Sequence, residues 1–286
     1  MRLMEFIQAE QLAQLRRFTL TTKNRARGHH KGLHRSLKMG SSLDFSDYRE
    51  YHAGDDIRQL DWNVFARTEK HYIKRFLDEQ EMRIHIMLDT TKSMELYGKA
   101  NFSRLIASSI ATIALEHGDT VSFSARPTLP QFTRKGRNGI LPLLQAIHDT
   151  ETLEGNFSEQ MIQQLPKGST IIYVITDGLE PSQSIMGLFD KLIQYGKDIR
   201  WLRVFSEKEE QVDYNGDREM IDIETNEKIN VSFTNDVFHR FEEERNRHFS
   251  SLFQYANRSR ILTIDLQVEE GFQGVIQSFI RAQWIR

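Results

Sequence analysis

The feature that most constrains the fold is a regular alternation of strand-like and helix-like segments from residue 72 onward. Residues 171–176 (IIYVIT) form a continuous apolar run rich in β-branched side chains, typical of a central strand that is covered on both faces. Residues 84–88 (IHIML) form a second such run, and residues 99–118 carry apolar side chains at helical spacing. This alternation predicts an α/β fold with an open, mostly parallel sheet flanked by helices.

One segment interrupts the alternation. Residues 218–233 have the pattern of two strands joined around Asn226, which predicts a β-hairpin inserted into the α/β order. A long helix from about Asp236 to Ala256 follows, and a last strand and helix complete the pattern. The apolar side chains of the long helix are expected to face inward: Phe238, Phe241, Phe249, Leu252 and Phe253.

The charge of the chain is unevenly distributed. The 286 residues carry a formal net charge of −2, but residues 1–43 hold nine Lys and Arg against two acids. We interpret residues 1–43 as a basic helix and tail that fold back on the acidic body, because the basic stretch 23–38 has no Phe, Tyr or Trp interleaved for base stacking. A surface for phosphate or acidic partners is the alternative; no nucleic-acid partner is expected.

The chain contains no Cys, which excludes disulfides, thiolate metal sites and Cys nucleophiles. It has no apolar run near the ~18–20 residues that span a bilayer. Glu5 and Glu10 make the N-terminus a poor signal peptide. We therefore expect a soluble, cytoplasmic protein.

Oxygen-bearing side chains follow two of the predicted strands. Asp89 ends the run IHIML and is followed by Thr91 and Ser93, and Asp177 follows IIYVIT. In an open α/β sheet, ligands bind outside the carboxyl ends of the strands, where the strand order reverses. A set of oxygen donors without His or Cys favours Mg²⁺. These four residues therefore form a candidate magnesium site.

The segment DTTKS, residues 89–93, resembles the D-x-S-x-S signature of the metal-ion-dependent adhesion site of von Willebrand factor A domains, in a degenerate form with Thr91 in place of the first Ser. VITDG resembles the strand end that supplies the later Asp of that site, here Asp177. Thr152 and Ser158 are two candidates for its third element, a loop Thr. The resemblance implies a von Willebrand factor A-like, Rossmann-like sheet that binds Mg²⁺, with Mn²⁺ as a substitute.

The upstream block is more specific. It contains DYREY, GDD, Arg58, DW and AR between residues 47 and 67, and it closely resembles the signature of the bacterial family called domain of unknown function 58. The resemblance implies a non-catalytic protein-binding module that works with a MoxR-type AAA+ ATPase in assembly or maturation of a client protein. It also implies three parts: residues 1–43, a signature segment at 44–80 packed on the core, and an α/β domain at 81–286.

The same block mixes opposite charges with aromatic residues, which favours a network of Arg–carboxylate pairs over a catalytic cluster. Arg49, Arg58 and Arg67 are each expected to contact a carboxylate, and Trp62 is expected to be buried.

Two alternatives to the binding module remain open. Asp89 resembles the nucleophile of phosphoaspartate chemistry, with Asp177 helping to hold Mg²⁺, although Thr91 stands where that chemistry usually has a second acid. In a purely structural interpretation, Asp89 and Asp177 cap the following helices and bind nothing.

Overall fold

The computed structural model describes residues 7–22, 45–76, 81–125, 132–152, 154–166, 168–195, 198–210, 216–223 and 225–286. The chain forms two compact units, a larger one of residues 1–28 and 82–286 and a smaller one of residues 29–81. Residues 7–22 thus belong to the larger unit. The predicted basic tail, residues 23–43, lies outside the described residues.

The strands are β1 (Phe45–Glu50), β2 (Tyr72–Phe76), β3 (Arg83–Leu88), β4 (Thr120–Ser124), β5 (Phe132–Lys135), β6 (Ile171–Thr176), β7 (Asp198–Phe205), β8 (Gly216–Ile221), β9 (Lys228–Phe233) and β10 (Leu262–Gln267). The helices are α1 (Ala9–Leu15), α2 (Trp62–Thr68), α3 (Lys99–Glu116), α4 (Ile140–His148), α5 (Phe157–Met161), α6 (Ser182–Tyr195), α7 (Glu207–Glu210), α8 (Asn235–Arg258) and α9 (Gly271–Arg281).

The larger unit is built on a mixed, mostly parallel sheet with strand order β10-β7-β6-β3-β4-β5. Neighbouring strands are parallel along the order β10-β7-β6-β3-β4, and the edge strand β5 is antiparallel to β4. The predicted α/β fold is confirmed. The sequence pattern did not predict β5, which is a short edge strand whose side chains alternate between half-buried and exposed.

Helices cover both faces of this sheet because successive strand residues point to opposite sides. In β6, Tyr173 faces a core that includes residues of α1, α3, α4 and α9, whereas Val174 faces a second core formed with α5, α6 and α8. All six side chains of β6 are buried, as its β-branched composition predicts for a central strand.

The predicted hairpin is present as β8 and β9, which pair antiparallel from Gly216↔Phe233 to Ile221↔Lys228. Asn226 adopts a positive φ of 60° in its turn, a conformation that Asn tolerates better than most residues. The hairpin leads into α8. The burial pattern of α8 differs in one respect from the sequence prediction, because Phe241 is 50% exposed.

The two ends of the larger unit meet at the edge of the core. Leu20 pairs with Ile285 in an antiparallel bridge, and Thr19 and Arg286 exchange backbone hydrogen bonds of 3.0 and 3.1 Å. Ile7, Leu12 and Leu15 bury their side chains in the same core as the sheet. The N-terminal helix is therefore an integral part of this unit.

A histidine lies within the sheet core. The side chain of His85 in β3 is fully buried, and its two ring nitrogens contact Ser122 Oγ at 2.7 Å and Ser124 Oγ at 2.9 Å. Burial lowers the pKa of His85 to about 3 from its usual 6.5. The folded protein therefore holds this imidazole neutral.

The buried histidine predicts a loss of stability at mildly acidic pH. Since the folded pKa is lowered, the unfolded chain binds the extra proton, and stability falls as the pH drops through the unfolded value near 6.5. We expect His85 to contribute a loss of about 2 kcal/mol in the free energy of unfolding between pH 7 and pH 5. Urea titrations of the parent and His85→Gln at both pH values measure this contribution. An equal pH dependence in the two proteins would contradict the assignment.

The smaller unit contains the antiparallel pair β1 and β2, a short 3-10 helix at Ile57–Gln59 and α2. Asp61 caps α2 by accepting the backbone N–H groups of Asn63 and Val64, and its other carboxylate oxygen accepts the Tyr48 hydroxyl at 2.9 Å. This aspartate of the signature block is therefore structural.

The predicted Arg–carboxylate network is only partly formed. Arg49 pairs with Asp55 at 2.7 Å. In the described part of the chain, Arg58 and Arg67 form no ion pair, so the prediction is wrong for both. It is also wrong for Trp62, which is 59% exposed; Trp62 is the first residue of α2, and its ring lies edge-on to that of Phe65. Among the described residues, no helix is both long and apolar enough to cross a membrane.

Candidate functional site

The candidate site lies at the carboxyl edge of the sheet, between β3 and β6. Asp89 follows β3 and donates its backbone N–H to Ile175 O at 2.9 Å, and Asp177 follows β6. The chain leaves β3 through α3 toward β4 on one side, whereas β6 lies on the other side, so the strand order reverses here. The topology thus brings both aspartates to the position where open α/β sheets bind ligands.

The carboxylate of Asp89 is held by hydrogen bonds on both oxygens. Its Oδ1 accepts the backbone N–H of Thr91 at 2.9 Å and the Thr91 hydroxyl at 2.7 Å. Its Oδ2 accepts the hydroxyl of Thr176 at 2.7 Å. Asp89 is only 1% exposed, so these bonds replace the water that the carboxylate would bind in the unfolded chain.

The two hydroxyls of the DTTKS segment come together. Thr91 Oγ1 and Ser93 Oγ are 3.2 Å apart, and Thr91 Oγ1 contacts Asp89 directly. The alternation Asp89, Thr91, Ser93 thus places a carboxylate and two hydroxyls in a contiguous group at the start of the 3-10 helix Lys92–Gly98.

Asp177 is bonded to a buried cation that the sequence analysis did not single out. Lys99, the first residue of α3, is fully buried, and its Nζ donates to Asp177 Oδ2 at 2.9 Å and to Glu209 Oε1 at 2.8 Å. Burial alone would lower the pKa of Lys99, but the charges of Asp177 and Glu209 outweigh burial and raise it above its usual value. Lys99 therefore remains charged and links β6, α3 and α7.

The site carries more negative than positive charge. Asp177 and Glu209 share the ammonium of Lys99, and Asp89 lies close enough to Asp177 for the two carboxyl groups to interact. Burial and, after it, the charge of Asp177 raise the pKa of Asp89 to about 7 from 3.8, against the opposing effect of its hydrogen bonds. The folded structure thus favours a proton or another cation at Asp89.

The two candidates for the third element, Thr152 and Ser158, bond to different segments. Thr152 donates its hydroxyl to Glu95 Oε1 and lines a cavity of about 210 Å³ together with Asp89 and Thr91. Ser158, which is buried at the start of α5, donates its hydroxyl to Glu180 Oε2. Thr152 therefore shares a cavity with the Asp89 group, whereas Ser158 bonds to the loop that follows Asp177.

The donor set fits Mg²⁺ in chemistry and in charge. Asp89, Thr91 and Ser93 offer oxygen donors alone, and the excess negative charge is of the sign that a divalent cation offsets. Both aspartates already accept hydrogen bonds on each oxygen, Asp89 from Thr91 and Thr176, and Asp177 from Lys99 and from the backbone N–H of Leu179 at 3.1 Å. A Mg²⁺ ion would therefore use their remaining lone pairs or bind through water. Within the described ranges, no group of three or more His, Asp or Glu side chains has the arrangement of a metal site.

Thr176, Lys99 and Glu209 were missed by sequence reasoning. Thr176 is the last residue of a strand that reads as uniformly buried, and Lys99 is one polar residue at the start of an amphipathic helix. A lysine at a helix N-terminus is unfavourable for the helix dipole, which was the one available signal. Glu209 comes from a distant segment that only the fold brings to Lys99.

The family comparison identifies one family model that matches most of the chain. The model described as "Protein of unknown function DUF58" matches residues 47–251. Uncharacterized proteins Rv1480 of Mycobacterium tuberculosis and Mb1516 of Mycobacterium bovis are each 31% identical to this chain over 83 residues, which is 29% of this chain and 26% of theirs. The match thus spans about a quarter of the length of these relatives.

Two solved structures are similar at low identity. Conserved hypothetical protein BatB from Bacteroides thetaiotaomicron is 12% identical with a TM-score of 0.38, and the match covers 71% of this chain and 98% of that one. An aerotolerance-related membrane protein from Bacteroides fragilis, crystallised with multiple mutations to serines, is 13% identical with a TM-score of 0.39, covering 70% and 99%. Both likenesses are distant.

Proposed function

Because this chain belongs to the DUF58 family, whose function is unknown, we propose a role that rests on its own site: a non-catalytic protein-binding module with a von Willebrand factor A-like fold. Its binding site is the carboxyl edge of the sheet around Asp89, a degenerate form of the metal-ion-dependent adhesion site. The observation that carries the proposal is the uncompensated negative charge beside the contiguous Thr91 and Ser93 hydroxyls, at the point where the strand order reverses.

In this proposal Asp89, Thr91 and Ser93 hold Mg²⁺, or Mn²⁺ as its substitute. A Mg²⁺ ion held by one carboxylate and two hydroxyls keeps positive charge with which to bind a carboxylate oxygen of a partner protein. Thr176 and the Thr91 backbone N–H orient the Asp89 carboxylate. Lys99 offsets part of the charge of Asp177 and Glu209, so the edge keeps its shape without the ion.

Phosphoaspartate chemistry is less consistent with this geometry. A nucleophilic carboxylate oxygen must reach the phosphorus atom of a phosphate ester, but Asp89 is buried and both of its oxygens accept hydrogen bonds. A Mg²⁺ ion is smaller and needs only one remaining lone pair of this carboxylate. Thr91 also stands where such enzymes usually have a second acid, and it is bonded to Asp89 rather than free for proton transfer. We therefore propose binding rather than catalysis.

We propose that the partner is a MoxR-type AAA+ ATPase, with a client protein whose assembly or maturation the pair supports. This part of the proposal rests on the resemblance of the signature block, residues 47–67, to the family pattern. The absence of Cys is compatible with a reducing cytoplasm, which is the compartment that we propose.

The metal part of the proposal predicts that Mg²⁺ stabilises the fold. A ligand at 100 times its Kd adds about 2.7 kcal/mol to the free energy of unfolding, so thermal unfolding should shift upward with added MgCl₂. Ser93→Ala removes one donor and should reduce the shift, and Asp89→Ala should abolish it. Ser184→Ala, at a half-buried serine of α6, is the matched control and should keep the full shift. A Mg²⁺ response that is the same in Asp89→Ala and the parent would exclude this site.

The docking part is tested separately. The protein is mixed with the MoxR-type ATPase of its native host. Binding is measured by biolayer interferometry, once with MgCl₂ added and once with an excess of EDTA. Chelation should weaken binding, and Ser93→Ala in MgCl₂ should weaken it similarly. Undiminished binding in EDTA would sink the docking mechanism.

A further inference from the structure

A second cavity lies beside the candidate metal site, at the carboxyl ends of β6 and β7 and against α8. Its volume is about 500 Å³, within the range of cavities that hold small ligands or large side chains. Leu179, Phe205, Phe241 and Phe249 form its apolar walls. Asp177 and Glu209, which bind Lys99, lie at its border, so this cavity is continuous with the charged edge of the sheet.

The mouth of this cavity exposes large apolar side chains. Leu179 is 47% exposed and Phe241 is 50% exposed, although the apolar pattern of α8 predicts Phe241 to face inward. Farther along the same helix, Leu252 and Ala256 are fully buried in the core. The apolar stripe of α8 thus extends beyond the part that this unit covers, and its uncovered end borders the cavity.

The charges of the lining residues are largely satisfied within the chain. Each of the three glutamates is paired: Glu209 with Lys99, Glu210 with Arg203 at 3.7 Å, and Glu244 with Arg247. Arg203 also pairs with Asp265 at 2.7 Å. Each of these glutamates thus has a basic partner, but Lys99 is shared between Asp177 and Glu209, and Arg203 between Glu210 and Asp265.

Arg245 is the exception among the lining residues. Its Nη1 donates to the backbone carbonyl of Glu210 at 3.2 Å, and in the described part of the chain no carboxylate pairs with it. Its guanidinium carbon lies 6.0 Å from the centre of the Phe241 ring. A half-buried cation without a counter-charge thus stands next to the exposed aromatic ring, and a guanidinium with unused N–H donors suits a carboxylate.

We propose that this cavity is the docking site for a protein segment that inserts a large apolar side chain between Phe241 and Phe249 and places a carboxylate on Arg245. Because Arg245 and Phe241 are only 6.0 Å apart, the two anchors must be close on the partner, either adjacent in sequence or one helical turn apart. This rests on the proposed function in taking the ligand to be a protein, but it requires no metal.

The probe is a set of peptides selected from a phage-displayed random dodecapeptide library. The library is panned on the full chain in EDTA, so that no metal ion contributes to peptide binding. The selected peptides are expected to share a Phe, Leu, Met or Trp near an Asp or Glu. Their affinities for variants are then measured by fluorescence anisotropy. Phe241→Asp should weaken binding more than tenfold, and Arg245→Gln at least fivefold. Arg258→Gln, at an exposed arginine at the far end of the same helix, should change it less than twofold.

Three outcomes would each overturn the proposal: the selection enriches no sequence, the enriched peptides lack an acidic residue, or they bind Phe241→Asp as tightly as the parent. A parent protein that is dimeric by light scattering, and monomeric as Phe241→Asp, would show a second copy of the chain as the occupant and would also overturn it. The two proposals fail separately. Peptide binding that depends on Phe241 supports the cavity whether or not the ATPase binds in EDTA, and ATPase binding that needs Mg²⁺ but not Phe241 supports only the metal site.

Discussion

Lys99→Met is expected to lower the free energy of unfolding by about 3–5 kcal/mol, because it removes one partner of a buried ion pair and leaves the other charge uncompensated. The side chain of Asp177 is 3% exposed, and Glu209 lies beside it. In the variant, the buried carboxylate of Asp177 would lose its counter-ion while Asp89 and the partly exposed Glu209 lie close to it. Urea unfolding of the parent and the variant in EDTA measures the loss.

The same variant reports on the metal site. Since the loss of Lys99 increases the negative charge at the sheet edge, MgCl₂ should stabilise Lys99→Met more than it stabilises the parent. Lys191→Met, at an exposed lysine of α6, is the matched control and should behave as the parent does. A Mg²⁺ response of Lys99→Met no larger than that of the parent would contradict the view that Lys99 and a bound cation offset the same charges.

Much of this fold, and part of the candidate site, could be predicted from the sequence. The α/β order was predictable because period-2 and period-3.6 patterns are local, and β3, β6 and α3 carry them clearly. Parallel pairing of buried strands then brings their carboxyl ends to one edge, so the neighbourhood of Asp89 and Asp177 followed from topology. That part of the site needed no coordinates.

The rest of the site depends on pairings between distant segments. Lys99 and Glu209 are 110 residues apart, and no local pattern connects them. Conversely, Trp62 and Phe241 were expected to be buried because large aromatic side chains usually are. Trp62 is instead 59% exposed and Phe241 is 50% exposed. Composition indicates how much apolar surface a chain can bury, but which side chains remain uncovered is decided by packing.

A second buried cation, an arginine of β7, links the sheet to other parts of the larger unit. Arg200 in β7 is 1% exposed and donates to Tyr173 Oη at 2.9 Å, to both carboxylate oxygens of Asp198 at 3.3 and 2.8 Å, and to the backbone carbonyl of Thr21. Its guanidinium lies 4.8 Å from the ring centre of Trp284. Arg200 thus connects the sheet to both terminal segments of the larger unit.

Arg200→Met should therefore destabilise the protein by about 3–5 kcal/mol, since it leaves the carboxylate of Asp198 buried without its partner. It should also release residues 7–22 first, because the Thr21 carbonyl loses its donor, and amide hydrogen exchange should show faster exchange there than in β6. Arg281→Met, at an exposed arginine of α9, should change neither quantity.

A double variant separates the charge from the packing. Asp198→Asn removes the carboxylate that Arg200→Met leaves without a partner, so the combined variant should be more stable than Arg200→Met alone. We expect a coupling energy of about 1–3 kcal/mol in the double-mutant cycle. If the losses in free energy of unfolding are additive, the unpaired carboxylate of Asp198 is not what destabilises Arg200→Met. If amide exchange at residues 7–22 stays fast in the double variant, the N-terminal segment is held by the hydrogen bond from Arg200 to the Thr21 carbonyl and not by the ion pair with Asp198.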